Sequence, residues 1–257
     1  MKPFIALFSY AGIHHQTFDA LLAELQSMRE KKVKHHLAHV ADDALISRSR
    51  SKAMSDFLRT DCDVFAMVDH DLQWKPGDLL ALLDQAALKR AAVAGFYATR
   101  AKRAGYAGRL KQERAQVTIG KDELHEAEFL PGGFTAIPRR VVEAVLASGQ
   151  DAAKTLNSDV DSDPQHVATL HQRELRECFY FDGTPFWPFF TCLQVPSTLV
   201  PGKWEFLSED WSFSLRATLA GLQPQFLWAK PILAHFGEHP YMMAESTHAA
   251  PPSEKVR

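Results

Sequence analysis

Asp69-His70-Asp71 places two carboxylates one residue apart at the end of an apolar run, Asp63-Val64-Phe65-Ala66-Met67-Val68, that reads as a buried strand. In extended backbone, alternate side chains share a face, so Asp69 and Asp71 can converge on one hard divalent cation. Mg²⁺ or Mn²⁺ suits such an oxygen pair and keeps coordination positions open for substrate phosphates. Aspartates after strands are also common turn formers, so the motif has to be judged by its company.

Two further groups could serve the same chemistry. Ser208-Glu209-Asp210 reads as an N-cap followed by two carboxylates in a first helical turn, where the dipole favours them. A carboxylate so placed can also act as a general base. His235-Phe236-Gly237 follows an apolar stretch from Phe226 to Leu233; an imidazole just past a strand end can complete a carboxylate metal site or simply occupy a turn. Asp159, Asp161 and Asp163 suggest a calcium loop. However, Pro164 stands where such a loop needs Gly and Leu170 where it needs its closing Glu, so this segment reads as solvated loop.

These groups need a scaffold. With 257 residues, 46% hydrophobic and 23% charged, the chain is long enough for one large α/β domain with a well-buried core. The expected boundaries are a single domain over 1–243, with halves of about 1–131 and 132–243, followed by a flexible tail over 244–257. The formal net charge of −2 gives no general bias toward nucleic acid or anionic membrane. Cys62, Cys178 and Cys192 are far apart in sequence, with no pairing that suggests zinc or redox chemistry. A cytoplasmic setting is the simplest expectation. No apolar stretch approaches the length of roughly 20 residues that spans a bilayer.

The first half alternates strand and helix. Apolar spacing predicts strand one ending at Phe8, then a helix with Phe18, Leu21, Leu22, Leu25 and Met28 on its buried side. A strand over Val33 to Val40 follows, then a helix that buries Ala53, Met54, Phe57 and Leu58 and leaves Arg48, Arg50 and Lys52 available. The acidic motif ends strand three, Leu79 to Leu83 mark a third helix, and Ala91 to Tyr97 a fourth strand. This order implies a mostly parallel, Rossmann-like sheet flanked by helices, with a smaller mixed part beyond it. There, Pro131-Gly132-Gly133 precedes a helix, Phe179 to Phe190 is densely aromatic, and Trp211, Leu215 and Leu219 form an apolar stripe ending at Gly221.

In this order, Asp69-His70-Asp71, Gly132-Gly133, Ser208-Glu209-Asp210 and His235-Phe236-Gly237 resemble the GT-A glycosyltransferases, particularly their family 2-like bacterial and phage branch. The resemblance runs from Ile5 to roughly Tyr241. Leu45-Ile46-Ser47-Arg48-Ser49-Arg50 resembles the Arg-rich helix start of some members, although Ser51 stands where those often have Asn. The resemblance implies a GT-A fold and a nucleotide-sugar donor, expected to be a UDP-sugar, held by Mn²⁺ or Mg²⁺. Asp71 would ligate the metal, Asp69 would contact metal or ribose, and His235 would be a further ligand. Ser9 and Tyr10 would lie against base and ribose, Arg50 would reach the pyrophosphate, and Gly132 and Gly133 would admit the transferred sugar closely.

An acceptor hydroxyl needs a base. Asp210 is the candidate if the anomeric centre is inverted, with Glu209 the alternative. The acceptor is expected to be a cell-surface glycan or, as in similar phage enzymes, a hydroxymethylated pyrimidine in DNA. Between Lys89 and Arg114 the chain carries a basic run that includes Arg100, Lys102, Arg103, Arg109, Lys111 and Arg114; it reads as a solvated loop or as a phosphate-binding one. Two other readings stay open. A sugar nucleotidyltransferase would want a Gly-rich, Lys-containing phosphate loop, which Ser9-Tyr10-Ala11-Gly12 does not supply, and a non-catalytic sugar-binding module would not need Asp69, Asp71, Asp210 and His235 together.

Overall fold

Along β1 (Pro3–Phe8), Phe4, Ala6 and Phe8 belong to one buried cluster and Ile5 and Leu7 to another. β3 (Val64–Asp69) repeats the pattern, with Phe65 and Met67 on one side and Val64, Ala66 and Val68 on the other. Strands that are apolar on both faces must be covered on both, and a computed structural model shows helices doing so. It describes residues 1–10, 12–99, 105–112, 116–155, 173–176, 178–196, 202–222, 224–236, 240–242 and 247–249. The first face is covered by α2 (Ile46–Leu58), α4 (Arg139–Thr155) and α5 (Glu209–Leu219). The second carries α1 (His15–Glu30) and α3 (Asp78–Lys89).

The central sheet has eight strands. Its members, besides β1 and β3, are β2 (His36–Val40), β5 (Val93–Gly95), β6 (Arg109–Leu110), β8 (Leu124–Phe129), β9 (Phe134–Pro138) and β14 (Gln225–Trp228), in the order β2-β1-β3-β9-β5-β14-β8-β6. β2, β1, β3, β5, β14 and β6 run one way, while β9 and β8 run the other. The sheet is therefore mostly parallel, with β9 inserted antiparallel between β3 and β5. Smaller pieces surround it: β4 (Leu72–Gln73) with β15 (Ala234–Phe236) and β16 (Pro240–Met242), β7 (Gln116–Thr118) with β17 (Thr247–Ala249), and the hairpins β10–β11 (Phe179–Phe181, Thr184–Phe186) and β12–β13 (Leu193–Pro196, Trp204–Leu207).

Several sequence expectations change in detail. Phe18 and Leu22 are exposed on α1, and Thr17 and Glu24 are buried in their place. Leu219 is exposed on α5, which packs Phe213 and Ala217 inward beside buried Ser212, Ser214 and Arg216. Arg50 is not available to solvent but 3% exposed. The aromatic run divides: Phe189 and Phe190 are core, while Phe179 and Tyr180 are exposed. Within 244–257, residues 247–249 form β17, paired antiparallel with β7. Asp159, Asp161, Asp163 and Gly237 lie outside the described residues.

Candidate functional site

The carboxyl ends of β1, β2 and β3 meet at a cleft of about 280 Å³ lined by Phe8, Ser9, Tyr10, Val40, Asp43, Ala44, Ile46, Ser49, Asp69, His70 and Asp71. This is where open α/β sheets bind ligands. Backbone register assembles its floor. β15 pairs antiparallel with β4, setting His235 opposite Leu72, and the Phe236 N–H donates to the Asp71 carbonyl at 2.7 Å. His235 Nε2 thereby comes to 3.6 Å from Asp71 Oδ1, and the Asp71 side chain is only 3% exposed. The other ring nitrogen, Nδ1, lies 2.8 Å from the Ala98 carbonyl. A carbonyl can only accept, so Nδ1 carries a hydrogen, which leaves Nε2 as the ring atom that faces the Asp71 carboxylate.

An imidazole nitrogen and a carboxylate oxygen side by side, with the far ring nitrogen anchored to a carbonyl, form the donor set and support that divalent metals use. Asp71 and His235 thus fit a cation that takes its remaining ligands from water or phosphate. No group of three or more His, Cys, Asp or Glu among the described residues could hold a metal by itself. Asp69 is turned elsewhere. Both its oxygens accept from Arg50 Nη2, at 2.8 and 3.0 Å.

Arg50 is the hub of the second half of the site. Its Nη1 donates to Glu209 Oε1 at 2.7 Å, so one guanidinium joins the end of β3 to the start of α5. Burial works against its charge, but Asp69, Glu209 and Asp210 outweigh burial and raise its pKa. Burial pushes the Glu209 carboxyl above its ordinary value against the pull of Arg50, and the Asp210 charge adds to the rise. Asp210 accepts from the Gly132 N–H at 2.9 Å, from the Trp211 N–H at 2.8 Å and from the Ser208 hydroxyl. Ser208 occupies the N-cap position of α5 without capping it; its hydroxyl orients Asp210 instead.

The glycines admit protein atoms. A Cβ on Gly132 would lie 2.0 Å from Arg50 Nη1, and one on Gly133 would lie 2.7 Å from the Tyr97 hydroxyl and 2.9 Å from Asp69 Oδ2. Tyr97 is a member of the site that the sequence offered only as the last residue of the fourth strand. Its hydroxyl accepts from the Gly133 N–H at 2.9 Å and its ring meets that of His235 edge-on at 5.4 Å. Burial, then the charges of Asp69 and Asp210, raise its pKa. Its place directly beyond a buried strand was the available signal.

Ser9 is buried, with its hydroxyl 2.7 Å from His39 Nε2, and Tyr10 is 63% exposed on the cleft wall. Of the basic run, Arg100, Lys102, Arg103 and Arg114 lie outside the described residues. The Arg109 guanidinium lies 4.3 Å from the Phe129 ring centroid and 5.1 Å from that of Trp211, with Glu128 at 2.9 Å and Glu205 at 3.2 Å. Lys111 lies 3.5 Å from Glu126. These two cations are matched by neighbouring carboxylates.

No protein-family model matches the chain, and no curated protein matches it in sequence. Among solved structures, A197 from STIV superposes with a TM-score of 0.50 at 13% identity, covering 95% of each chain. GalNAc-T7, crystallised with UDP, GalNAc and Mn²⁺, gives a TM-score of 0.47 at 8% identity over 91% of this chain and 43% of its own. S. aureus TarS gives 0.32 at 12% identity over 56% and 30%. At such identities the likeness is one of fold. The molecule is an α/β protein that shares its fold with A197 from STIV, with a mostly parallel central sheet flanked by helices and its candidate site at the strand ends. No helix among the described residues is long and apolar enough to cross a membrane.

Proposed function

We propose that this protein is a metal-dependent glycosyltransferase of the family 2-like kind, moving a sugar from a nucleoside-diphosphate sugar to an acceptor hydroxyl. The observation that carries the reading is the convergence of two sets of groups at one end of the sheet. Asp71, which lines the cleft, stands 3.6 Å from His235, and Glu209 and Asp210 are tied to the same strand ends through Arg50 and Gly132. A turn-forming role would explain any one of these residues but not their assembly.

Asp71 and His235 would hold Mn²⁺ or Mg²⁺. When bound, such a cation neutralises the charge that develops on the departing nucleoside diphosphate. Ser9 and Tyr10, on the cleft wall, would lie against base and ribose, and Asp69, although held by Arg50, would meet the ribose with its exposed edge. Arg50, paired with two carboxylates, serves as a buried positioning charge and not as an open pyrophosphate contact. Asp210, aimed by three donors, takes the acceptor proton as that oxygen bonds to the anomeric carbon. The sugar–phosphate bond breaks with its electron pair passing to the diphosphate, which inverts the centre. Glu209 is the alternative base. Cys62, Cys178 and Cys192 are free thiols, and the reading includes a reducing, cytoplasmic setting.

The test is a thermal-shift panel of UDP-, GDP-, dTDP- and CMP-sugars with and without Mn²⁺. One nucleotide class, with UDP expected, should raise Tm only with the metal, and Asp71→Ala should abolish the response. No response to any nucleotide would sink the reading. Asp210→Asn should retain the donor-dependent shift while transfer falls by about 10²-fold or more; lost donor response with residual transfer would remove Asp210 as the base.

A further inference from the structure

A second cleft, of about 530 Å³, opens on the other side of α2 and is walled by Ser47, Arg48, Ser51, Phe179, Phe186 and Cys192, with Pro188, Thr191 and Glu174 completing it. It is built against the candidate catalytic carboxylates. The Phe190 N–H donates to Ser51 Oγ at 3.1 Å, next in sequence to Arg50, and the Leu193 N–H donates to Ser212 Oγ at 3.0 Å, one turn along α5 from Glu209. Thr191 and Cys192 therefore bridge the helix starts that carry Arg50 and Glu209. The Cys192 thiol is pushed up by burial first and then by the charges of Glu209 and Asp210.

Among the described residues, the lining offers a polyanionic occupant only cations that are already matched. Arg48 is engaged by Asp43 through Nε at 2.9 Å and Nη2 at 2.6 Å, and its guanidinium also lies 3.7 Å from the centroid of the Phe181 ring. Glu174 is engaged by Arg216 at 2.8 Å. With both charges matched, the described wall offers the Ser47 hydroxyl, the remaining acceptor capacity of Ser51 and Thr191, whose hydroxyls donate to the Ser47 and Pro188 carbonyls, a thiol and aromatic faces. Binding DNA phosphates needs cations that can exchange their counterions. A sugar ring needs what is present, namely polar groups for its hydroxyls and aromatic faces for its C–H face, in a cleft within the roughly 300–1,000 Å³ of small-molecule sites. Phe179 is 51% exposed, with its ring centroid 6.5 Å from that of Phe186, so an aromatic surface is open to stack on.

We infer that the cleft between α2, the β10–β11 hairpin and the 188–192 segment binds a neutral carbohydrate, and that this carbohydrate, on the transferase reading, is the acceptor. Methyl glycosides of glucose, galactose, mannose and N-acetylglucosamine serve as probes in saturation-transfer NMR, with a short duplex carrying 5-hydroxymethylcytosine as competitor. At least one glycoside should receive saturation from the wild-type protein. Phe179→Ala should weaken that binding by about fivefold, the loss of one aromatic contact, and Cys192→Phe, which fills the cleft, should remove it. The duplex should not compete. Absence of saturation transfer to every glycoside, transfer that both variants leave unchanged, or displacement by the duplex would each overturn the inference. The donor-dependent thermal shift of the same samples separates the two readings: it should persist in both variants, and its absence from wild type would count against the transferase and not against the cleft.

Discussion

Arg50 sits beneath the strand ends between carboxylates supplied from 19 and 159 positions away in the chain. Its side chain is 4% exposed, against 27% for Asp69 and 17% for Glu209. Removing it strands two negative groups, with Asp210 beside them, in partly buried positions. Arg50→Ala is therefore expected to destabilise the fold toward the lower end of the about 3–5 kcal/mol for breaking a buried pair, since Asp69 retains some solvent. Urea unfolding measures this, and a loss below about 1 kcal/mol, the value of a surface pair, would contradict it. Arg50→Lys should recover little, because a single ammonium cannot span both carboxylates as the guanidinium fork does. From sequence, Arg50 reads as a solvent-facing phosphate contact because nothing local reveals where its partners fold. The acidic motif is more legible, since it lies at the end of a continuous apolar run whose strand character fixes where Asp69 and Asp71 emerge.

At the scale of elements, α1 shows how a buried polar residue misleads a periodicity argument. Apolar spacing points to Phe18 and Leu22, yet Glu24 is fully buried in their stead. Its carboxylate accepts from the Gly77 N–H at 2.7 Å, the Leu80 N–H at 3.1 Å and Trp74 Nε1 at 3.3 Å. α3 has no side-chain cap of its own, so one helix supplies the N-terminal acceptor of another. Burial raises the Glu24 carboxyl above its ordinary value, opposed by the Gly77 and Leu80 N–H groups and by Trp74. A raised folded-state pKa contributes stability below the unfolded value, about 4.3, and that contribution is lost as pH rises through the folded value. Relative to Glu24→Gln, the wild-type protein should thus lose stability as pH increases across that window and stay level above it. Urea unfolding from acid to neutral pH tests the sign; a difference that grows with pH would refute it.

For the whole molecule, fold class was legible because buried parallel strands read as unbroken apolar runs, and those of β1 and β3 do so plainly. The direction of β9 was not. Phe134–Pro138 is buried throughout and has the same composition whichever way it runs; only its pairings with β3 and β5 decide. The inserted strand also governs how the protein can be made. During synthesis one edge of β3 stays bare until residues 134–138 leave the ribosome, and β5 gains its second neighbour only with residues 225–228. Over that interval the nascent chain presents open backbone edges of the kind on which other chains can assemble. Arrival of these late strands, more than local helix formation, sets the moment at which those edges are covered, and a chain ending before residue 134 would leave the β3 edge bare.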